Sequence, residues 1–308
     1  MKTAVLIPCY NEAKTIKKVV LDFQRVLPHA DIYVYDNNST DGTDQICKDA
    51  GAIVRYEYKQ GKGNVVRSMF KDIDADCYIM VDGDDTYPAE SAVEFEELIL
   101  SGKADMVIGD RLSSTYFEEN DRMFHNTGNK LVRKLINLFF KSDLKDIMTG
   151  MRAFSYDFVK SFPISSKEFE IETEMSVFAL VNNFKILEIP IEYRDRIDGS
   201  ESKLNTYSDG LKVLRMIFAL IRDKRPLLFF SVFSLILLII SGIHFFPILF
   251  KYFQSGYVLK IPTLIAISTV VIIAAMTFFV GVVLHSLKRQ HAKNLDYHLI
   301  LLNKLKEE

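Results

Sequence analysis

Cysteine is scarce in this chain: Cys9, Cys47 and Cys77 are an odd number, and no two form a CxxC pair. That excludes a disulfide framework or a thiolate zinc site as the organising principle, and the three read as small hydrophobes in a reducing compartment. Strong charge of either sign is missing too. With 38 basic and 40 acidic residues the net charge is -2, which argues against nucleic acid as a partner. There is no internal repeat and no low-complexity tract. The N-terminal "MKTAVLIPCYNE" lacks the unbroken apolar core of a signal peptide, because Pro8 and Asn11 interrupt it, and it reads as a first strand.

Long apolar runs, by contrast, are present and concentrated near the C-terminus. Pro226–Phe250 and Ile261–Leu287 carry no Asp, Glu, Lys or Arg, and each exceeds the roughly 20 apolar residues that cross a bilayer. Basic residues stand outside both runs: "RDKR" (Arg222 to Arg225) before the first, and Lys288, Arg289 and Lys293 after the second. The short connection holds only Lys251 and Lys260, so the positive-inside rule places both termini in the cytoplasm. Ahead of the first run, Leu211, Leu214, Ile217, Phe218 and Ile221 alternate with Lys212, Arg215 and Arg222. That spacing predicts an amphipathic helix lying in the membrane interface. The expected organisation is a cytosolic domain (1–206), an interfacial helix (207–225), a transmembrane hairpin (226–287, spans 226–250 and 261–287) and a helix-like cytosolic tail (288–308).

Within the first 110 residues strand and helix patterns alternate: "TAVLI", "DIYVYD", "AIVRYEY", "CYIMVD" and "ADMVIG" are strands separated by helical stretches. This predicts an α/β domain with a mostly parallel, Rossmann-like sheet covered on both faces, with ligands at the carboxyl ends of the strands. The polar clusters "PCYNE", "DNNSTDGT", "KQGKGN", "DGDDTYP" and "GDR" fall at those ends. Residues 112–205 are less regular, with helices expected near Gly128–Phe140 and Glu170–Val181 and a strand at "FKILEIPIEY", and read as the acceptor-side half of the same fold.

In "VDGDDTYP", Asp82, Asp84 and Asp85 occupy three of four positions, a crowding that calls for a cation. A calcium EF-hand loop beginning at Asp82 fails, with Tyr87 where Gly is needed and Val93 where Glu is needed. A P-loop fails as well, because "KQGKGN" lacks its first Gly. What remains is Asp-X-Asp at a strand end with Gly83 for close approach. This donor set suits Mg²⁺ or Mn²⁺ shared with the phosphates of a nucleoside diphosphate.

Taken together, "IPCYNE", "DNNSTDGT", Asp82-Gly83-Asp84, "GDR" and "GSESKLNTYSDG" (Gly199 to Gly210) are similar in order and spacing to family 2 glycosyltransferases of the GT-A fold. With the two C-terminal spans, the chain resembles more narrowly the polyprenyl-phosphate glycosyltransferases, relatives of dolichyl-phosphate mannose synthase. The resemblance implies that Pro8, Tyr10, Asn11 and Glu12 line a nucleotide-sugar pocket with Asp36. Asp82 then faces ribose and metal, Asp84 ligates the metal, and Lys62 approaches the nucleotide. Where the mannose synthases often place a Gln as third metal-site side chain this chain has Thr86, and Asp85 is an added acid, so the third ligand stays open.

Downstream cations form a second set: Arg111, Arg152, Arg194, Arg196 and Lys203. Of these, Arg111, Arg152, Arg194 and Lys203 are the expected ligands of an acceptor phosphate, with Asp82, Asp84, Arg152 and Lys203 carrying catalysis. A lipid phosphate is already largely ionised at neutral pH, so no strong general base is required. The expected reaction is an inverting transfer of a hexose from UDP-glucose or UDP-N-acetylglucosamine to undecaprenyl phosphate at the cytoplasmic face of the inner membrane, serving cell-envelope glycan synthesis. Asp146 and one of Glu172 and Glu174 are candidates for sugar or acceptor contacts. The other glutamate is expected to be structural or solvated, since positions two apart do not share a helix face. Alternatives are a GDP-mannose-using mannosyltransferase and a noncatalytic scaffold of the same fold. A processive polysaccharide synthase is disfavoured, because its QxxRW motif needs a tryptophan and this chain has none. The interfacial helix and hairpin offer surfaces for a homo-oligomer.

Overall fold

The computed structural model describes residues 1–113, 123–164, 170–194, 215, 218–258 and 260–307. The chain divides into two compact units, Met1–Ile217 with Leu302–Glu308, and Phe218–Leu301. In the first, β1 (Thr3–Cys9), α1 (Ile16–Val26), β2 (Asp31–Asp36), α2 (Thr43–Asp49), β3 (Ile53–Tyr56), α3 (Lys62–Asp72), β4 (Cys77–Met80), α4 (Ser91–Leu100) and β5 (Met106–Asp110) alternate as the sequence predicts. They are followed by α5 (Met123–Phe140), β6 (Arg152–Ser155), α6 (Tyr156–Ser161), α7 (Ile171–Val181) and β7 (Ile186–Pro190).

The seven strands form one sheet in the order β3-β2-β1-β4-β6-β5-β7. All pairings are parallel except those of β6, which runs antiparallel to both β4 and β5. The chain winds outward from β1 to β3 and then returns to place β4 on the other side of β1. The loops after β1 and β4 therefore diverge at a topological switch point, where open α/β sheets leave a crevice.

Both faces of the sheet are covered, which explains strands with no polar alternation: Ala4, Val5, Leu6 and Ile7 of β1 are all fully buried. Val5, Ile7, Ile32, Val34, Cys77 and Ile79 join one core with α1, α2 and α4. In α1 the contributors Ile16, Val19, Val20 and Phe23 recur at one helix face. The opposite face carries an aromatic cluster. Phe158 stacks on Phe154 and Phe162 and meets Phe178 and Phe184 edge-on, while Phe70 reaches Phe154, Phe162 and Tyr78. These rings tie α3, α6 and α7 to β4 and β6. All three cysteines are buried and free, and burial pushes the Cys47 thiol up to about 12.

In the second unit α8 (Pro226–Ser255) and α9 (Ile261–Glu307) are each long and apolar enough to cross a membrane. The sequence-based end of the second span, Leu287, is not a helix end: α9 continues through the tail as one helix. At 1.5 Å per residue that is about 70 Å. The pair is built inside out relative to a soluble hairpin. Ser234, Ser241, Ile267 and Ala274 are buried, while Ile236, Ile239, Phe246, Ile272, Phe279 and Val283 are exposed. Ser234 Oγ donates to Ala274 O at 2.8 Å, and a Cβ on Gly281 would lie 2.7 Å from that of Phe230. Small residues and a hydroxyl at the contact, with large apolar groups outward, are the arrangement of helices packed in lipid. Residues 215 and 218–224 are helical; the rest of the expected interfacial helix lies outside the described residues.

Phe158 is fully buried at the centre of the aromatic cluster. Phe158→Ala is expected to cost about 3–5 kcal/mol, read as a lowered unfolding temperature of the full chain in detergent.

Candidate functional site

The carboxyl ends of β1, β2, β3 and β4 are laced together before any ligand is considered. Asn11, left-handed at φ 54°, donates its N–H to Ser39 Oγ and accepts from Thr40 N–H through Oδ1, joining the loops after β1 and β2. Asn37 continues the lacing: its Nδ2 donates to Glu57 O and Lys59 O, and its Oδ1 accepts from Gly61 N–H just before α3. Along this rim Tyr10 is exposed, and Pro8, Asn11 and Glu12 are half-buried. Asp36, the last residue of β2, is buried. Its Oδ2 accepts from Ser39 N–H at 3.0 Å, but its Oδ1 has no hydrogen-bond partner.

Across the switch point, the residues following β4 carry the acids. Asp82 Oδ1 accepts from Lys62 Nζ at 2.6 Å, and its Oδ2 lies over Gly150, where any Cβ would collide with it. Asp84 is buried, and its Oδ1 accepts from Thr86 Oγ1 at 2.7 Å. Gly83 between them packs tightly, since a Cβ there would stand 2.9 Å from Cys9 Sγ. Asp85 is left-handed at φ 59° and turns away: its Oδ1 pairs with Lys18 Nζ at 2.7 Å, with Arg194 Nη1 at 4.0 Å. The added acid of this motif is thus balanced by surface cations, and Thr86 serves to orient Asp84.

The downstream residues fall into three groups. Arg111 and Asp146, expected to meet a phosphate and a sugar, meet each other, with Nε 2.7 Å from Oδ2, and the guanidinium lies over the Tyr193 ring. Arg194 keeps a substantially exposed side chain. Arg152 is fully buried on β6. It donates to Ile147 O at 2.6 Å, Thr149 O at 3.1 Å and Ser176 Oγ at 2.9 Å. Burial pushes its guanidinium down to about 10 against the opposing pull of Glu172 and Asp146. It pins the turn that presents Gly150 to Asp82 and exposes no donor for a lipid phosphate. Glu172 and Glu174, in the first turn of α7, are both buried, which leaves the structural of the two expected roles, structural or solvated, for whichever does not meet a sugar or acceptor. Lys203 and Arg196 lie outside the described residues.

Sequence reasoning passed over two features. The strand β6 is only four residues long and antiparallel, too brief for a periodicity signal. Asp110, the end of β5, is buried. Its Oδ1 accepts from the N–H groups of Leu112 and Ser113, and its Oδ2 has no partner. Its signal in the sequence is its place in the "GDR" triplet at the end of a strand.

A divalent cation fits this donor set. Asp82 and Asp84 offer hard oxygen ligands, and the Gly150 cradle seats one of the two carboxylates. Among the described residues no cluster of three or more His, Cys, Asp or Glu could hold a metal alone. The remaining positions would fall to phosphate oxygens and water, as Mg²⁺ and Mn²⁺ accept.

Residues 4–162 match the family described as glycosyl transferase family 2. The chain is 34% identical over 228 residues to glycosyltransferase AglJ of Haloferax volcanii, covering 74% of each protein. It is 28% identical over 222 residues to a dolichyl-phosphate hexose transferase of the same organism, covering 72% of this chain and 95% of that protein. Glucosyl-3-phosphoglycerate synthase of Mycobacterium tuberculosis, solved with Mn²⁺, uridine diphosphate and glucosyl-3-phosphoglycerate, superposes with a TM-score of 0.58. The two are 16% identical, over 72% of this chain and 79% of that one, a likeness of fold.

If Arg152 is a buried clamp, Arg152→Met strands two carbonyls and a hydroxyl. At about 1–3 kcal/mol per lost buried partner, the variant should unfold several degrees below wild type. A solvent-facing arginine would change stability by no more than about 0.5 kcal/mol. The family match over more than half of the chain, on a sheet whose acidic motif closes the switch point, makes this protein a member of glycosyl transferase family 2.

Proposed function

We propose that this protein transfers a hexose from a nucleoside diphosphate sugar to a polyprenyl phosphate at a membrane surface. The observation that carries the reading is the placement of Asp82 and Asp84 just after β4 and of the partnerless Asp36 oxygen at the end of β2, all at the carboxyl ends of the sheet, in a chain that also bears two bilayer-length helices. The likeness to the dolichyl-phosphate hexose transferase supports the acceptor, and the uridine diphosphate and Mn²⁺ bound to the M. tuberculosis synthase support the donor and the cation.

Each residue has a part. Asp36 Oδ1 is a buried acceptor awaiting an N–H, which a nucleobase supplies. Asp82 and Asp84 would hold Mg²⁺ or Mn²⁺, which neutralises charge developing on the leaving diphosphate. Tyr10, Asn11 and Glu12 line the opposite rim. Arg194, with Lys203 from the segment outside the described residues, attracts the acceptor phosphate and lowers the repulsion between two anions. Arg111 positions Asp146, and Arg152 holds the turn beneath Asp82. The acceptor arrives already ionised, so its oxygen displaces the nucleoside diphosphate directly and inverts the anomeric carbon. UDP-glucose or UDP-N-acetylglucosamine is the favoured donor and undecaprenyl phosphate the favoured acceptor, on the cytoplasmic side of the inner membrane. The helical hairpin anchors the catalytic unit where that lipid resides.

Membranes carrying the chain are expected to move label from a UDP-sugar into organic-extractable lipid when Mg²⁺ or Mn²⁺ is present. EDTA should abolish transfer, and Asp84→Ala should reduce it by at least about 100-fold. Transfer undiminished by both would overturn the assignment, and label appearing only from GDP-mannose would replace the donor.

A further inference from the structure

Asp110 ends β5 with one carboxylate oxygen engaged and one idle. Oδ1 accepts from the N–H groups of Leu112 and Ser113, both at 3.1 Å, while Oδ2 has no hydrogen-bond partner. The residue is 1% exposed, so bulk water does not reach it. Its backbone is fixed as well: its carbonyl accepts from Ile191 N–H at 3.1 Å, and it pairs with Pro190 at the end of β7. Buried polar atoms in native folds almost always meet a partner, because leaving one without costs a large part of its desolvation. The spare oxygen is thus an acceptor for an O–H or N–H that a ligand brings.

The register of the sheet says where that acceptor stands. Met80 of β4, Arg152 of β6 and Ile108 of β5 pair across the ladder. Because β6 runs antiparallel to both neighbours, the next row on the same face, one step nearer the crevice, holds Asp82 after β4, Gly150 before β6 and Asp110 in β5. Two contacts agree with this extension: Gly109 N–H donates to Met151 O at 3.0 Å, and Asp82 Oδ2 lies over Gly150. At the spacing of paired strands, the backbones at Asp82 and Asp110 are about 10 Å apart. The position between them carries no side chain, and the Asp82 carboxylate leans across it from the β4 side.

In the proposed function the base meets Asp36 at the end of β2, and the diphosphate meets Asp82 and Asp84 after β4. The strand order β2-β1-β4-β6-β5 then leaves the row from Gly150 to Asp110 for the group beyond the diphosphate, which is the sugar. A hexose presents hydroxyl donors around its ring, the chemistry that an idle carboxylate oxygen accepts. We propose that Asp110 Oδ2 accepts a hydrogen bond from one ring hydroxyl of the donor hexose. Asp110 is then a specificity-determining residue: the site takes a hexose hydroxylated at that position and rejects its deoxy analogue. The inference rests on the donor reading given above.

The test uses the donor that the full chain in membranes turns over best and its monodeoxy analogues, each lacking one ring hydroxyl, and compares kcat/KM for transfer into lipid. Wild type should discriminate against one analogue by about 100-fold or more, since loss of that hydroxyl strands a buried acceptor. Asp110→Asn keeps Oδ1 for Leu112 and Ser113 and puts an NH₂ in the place of Oδ2. It should lose about 100-fold on the full donor and little on that one analogue, with the ratios for the other analogues unchanged. A role confined to the turn predicts that Asp110→Asn behaves as wild type or slows every donor by one factor, and either result overturns the inference. Wild type accepting every monodeoxy analogue equally overturns it without any variant, which keeps the test decisive if Asp110→Asn does not fold. No transfer by wild type from any donor would instead overturn the proposed function on which the inference stands.

Discussion

The position of one carboxylate governs this site. Asp82 is held on one side by the Lys62 ammonium and on the other by the absence of a side chain at Gly150. Each constraint is delivered from elsewhere. Lys62 is steadied by Glu172 from α7, and Gly150 sits in a turn whose carbonyls are gripped by the buried Arg152. A charged group buried at 0% exposure is tolerated because its donors are met by two carbonyls and a hydroxyl, and because acids nearby stabilise its charge. The costly polar interior of this half of the protein thus converges on one oxygen pair at the crevice.

The topology supplies the crevice and the lacing supplies its rigidity. Reversal of winding direction between β1 and β4 separates two loops that must otherwise compete for space. The asparagines at 11 and 37 fasten neighbouring loops by side chain to backbone, and Asn11 and Asp85 turn in left-handed conformations that most residues resist. Insertion of antiparallel β6 between β4 and β5 brings Arg152 beneath Asp82: Met80 pairs with Arg152 across the ladder. The sheet is mixed so that this turn can reach the site.

Legibility differed by physical cause. The first five strands announced themselves through short runs rich in apolar residues ending in polar clusters, and both long apolar helices through length alone. The Asp-X-Asp triplet was legible because like charges so close demand a cation. Partnerships across the fold were not. Nothing in the spacing of Lys62 and Glu172, 110 positions apart, says that they touch. Arg111 and Asp146 each looked available until paired. Arg152 was expected to meet an acceptor phosphate, and nothing in its flanking sequence says that its donors are spent on the carbonyls of Ile147 and Thr149 and the hydroxyl of Ser176. The antiparallel β6 gave no signal, being four residues set between stretches of unlike character.

The most direct test of the account is a structure of the full chain in lipid nanodiscs with UDP and Mn²⁺. The account predicts the metal on Asp82 and Asp84 with the diphosphate completing its shell, and the base within hydrogen-bonding distance of Asp36 Oδ1. Metal or nucleotide bound away from the end of β4, with Asp36 Oδ1 still partnerless, would contradict it.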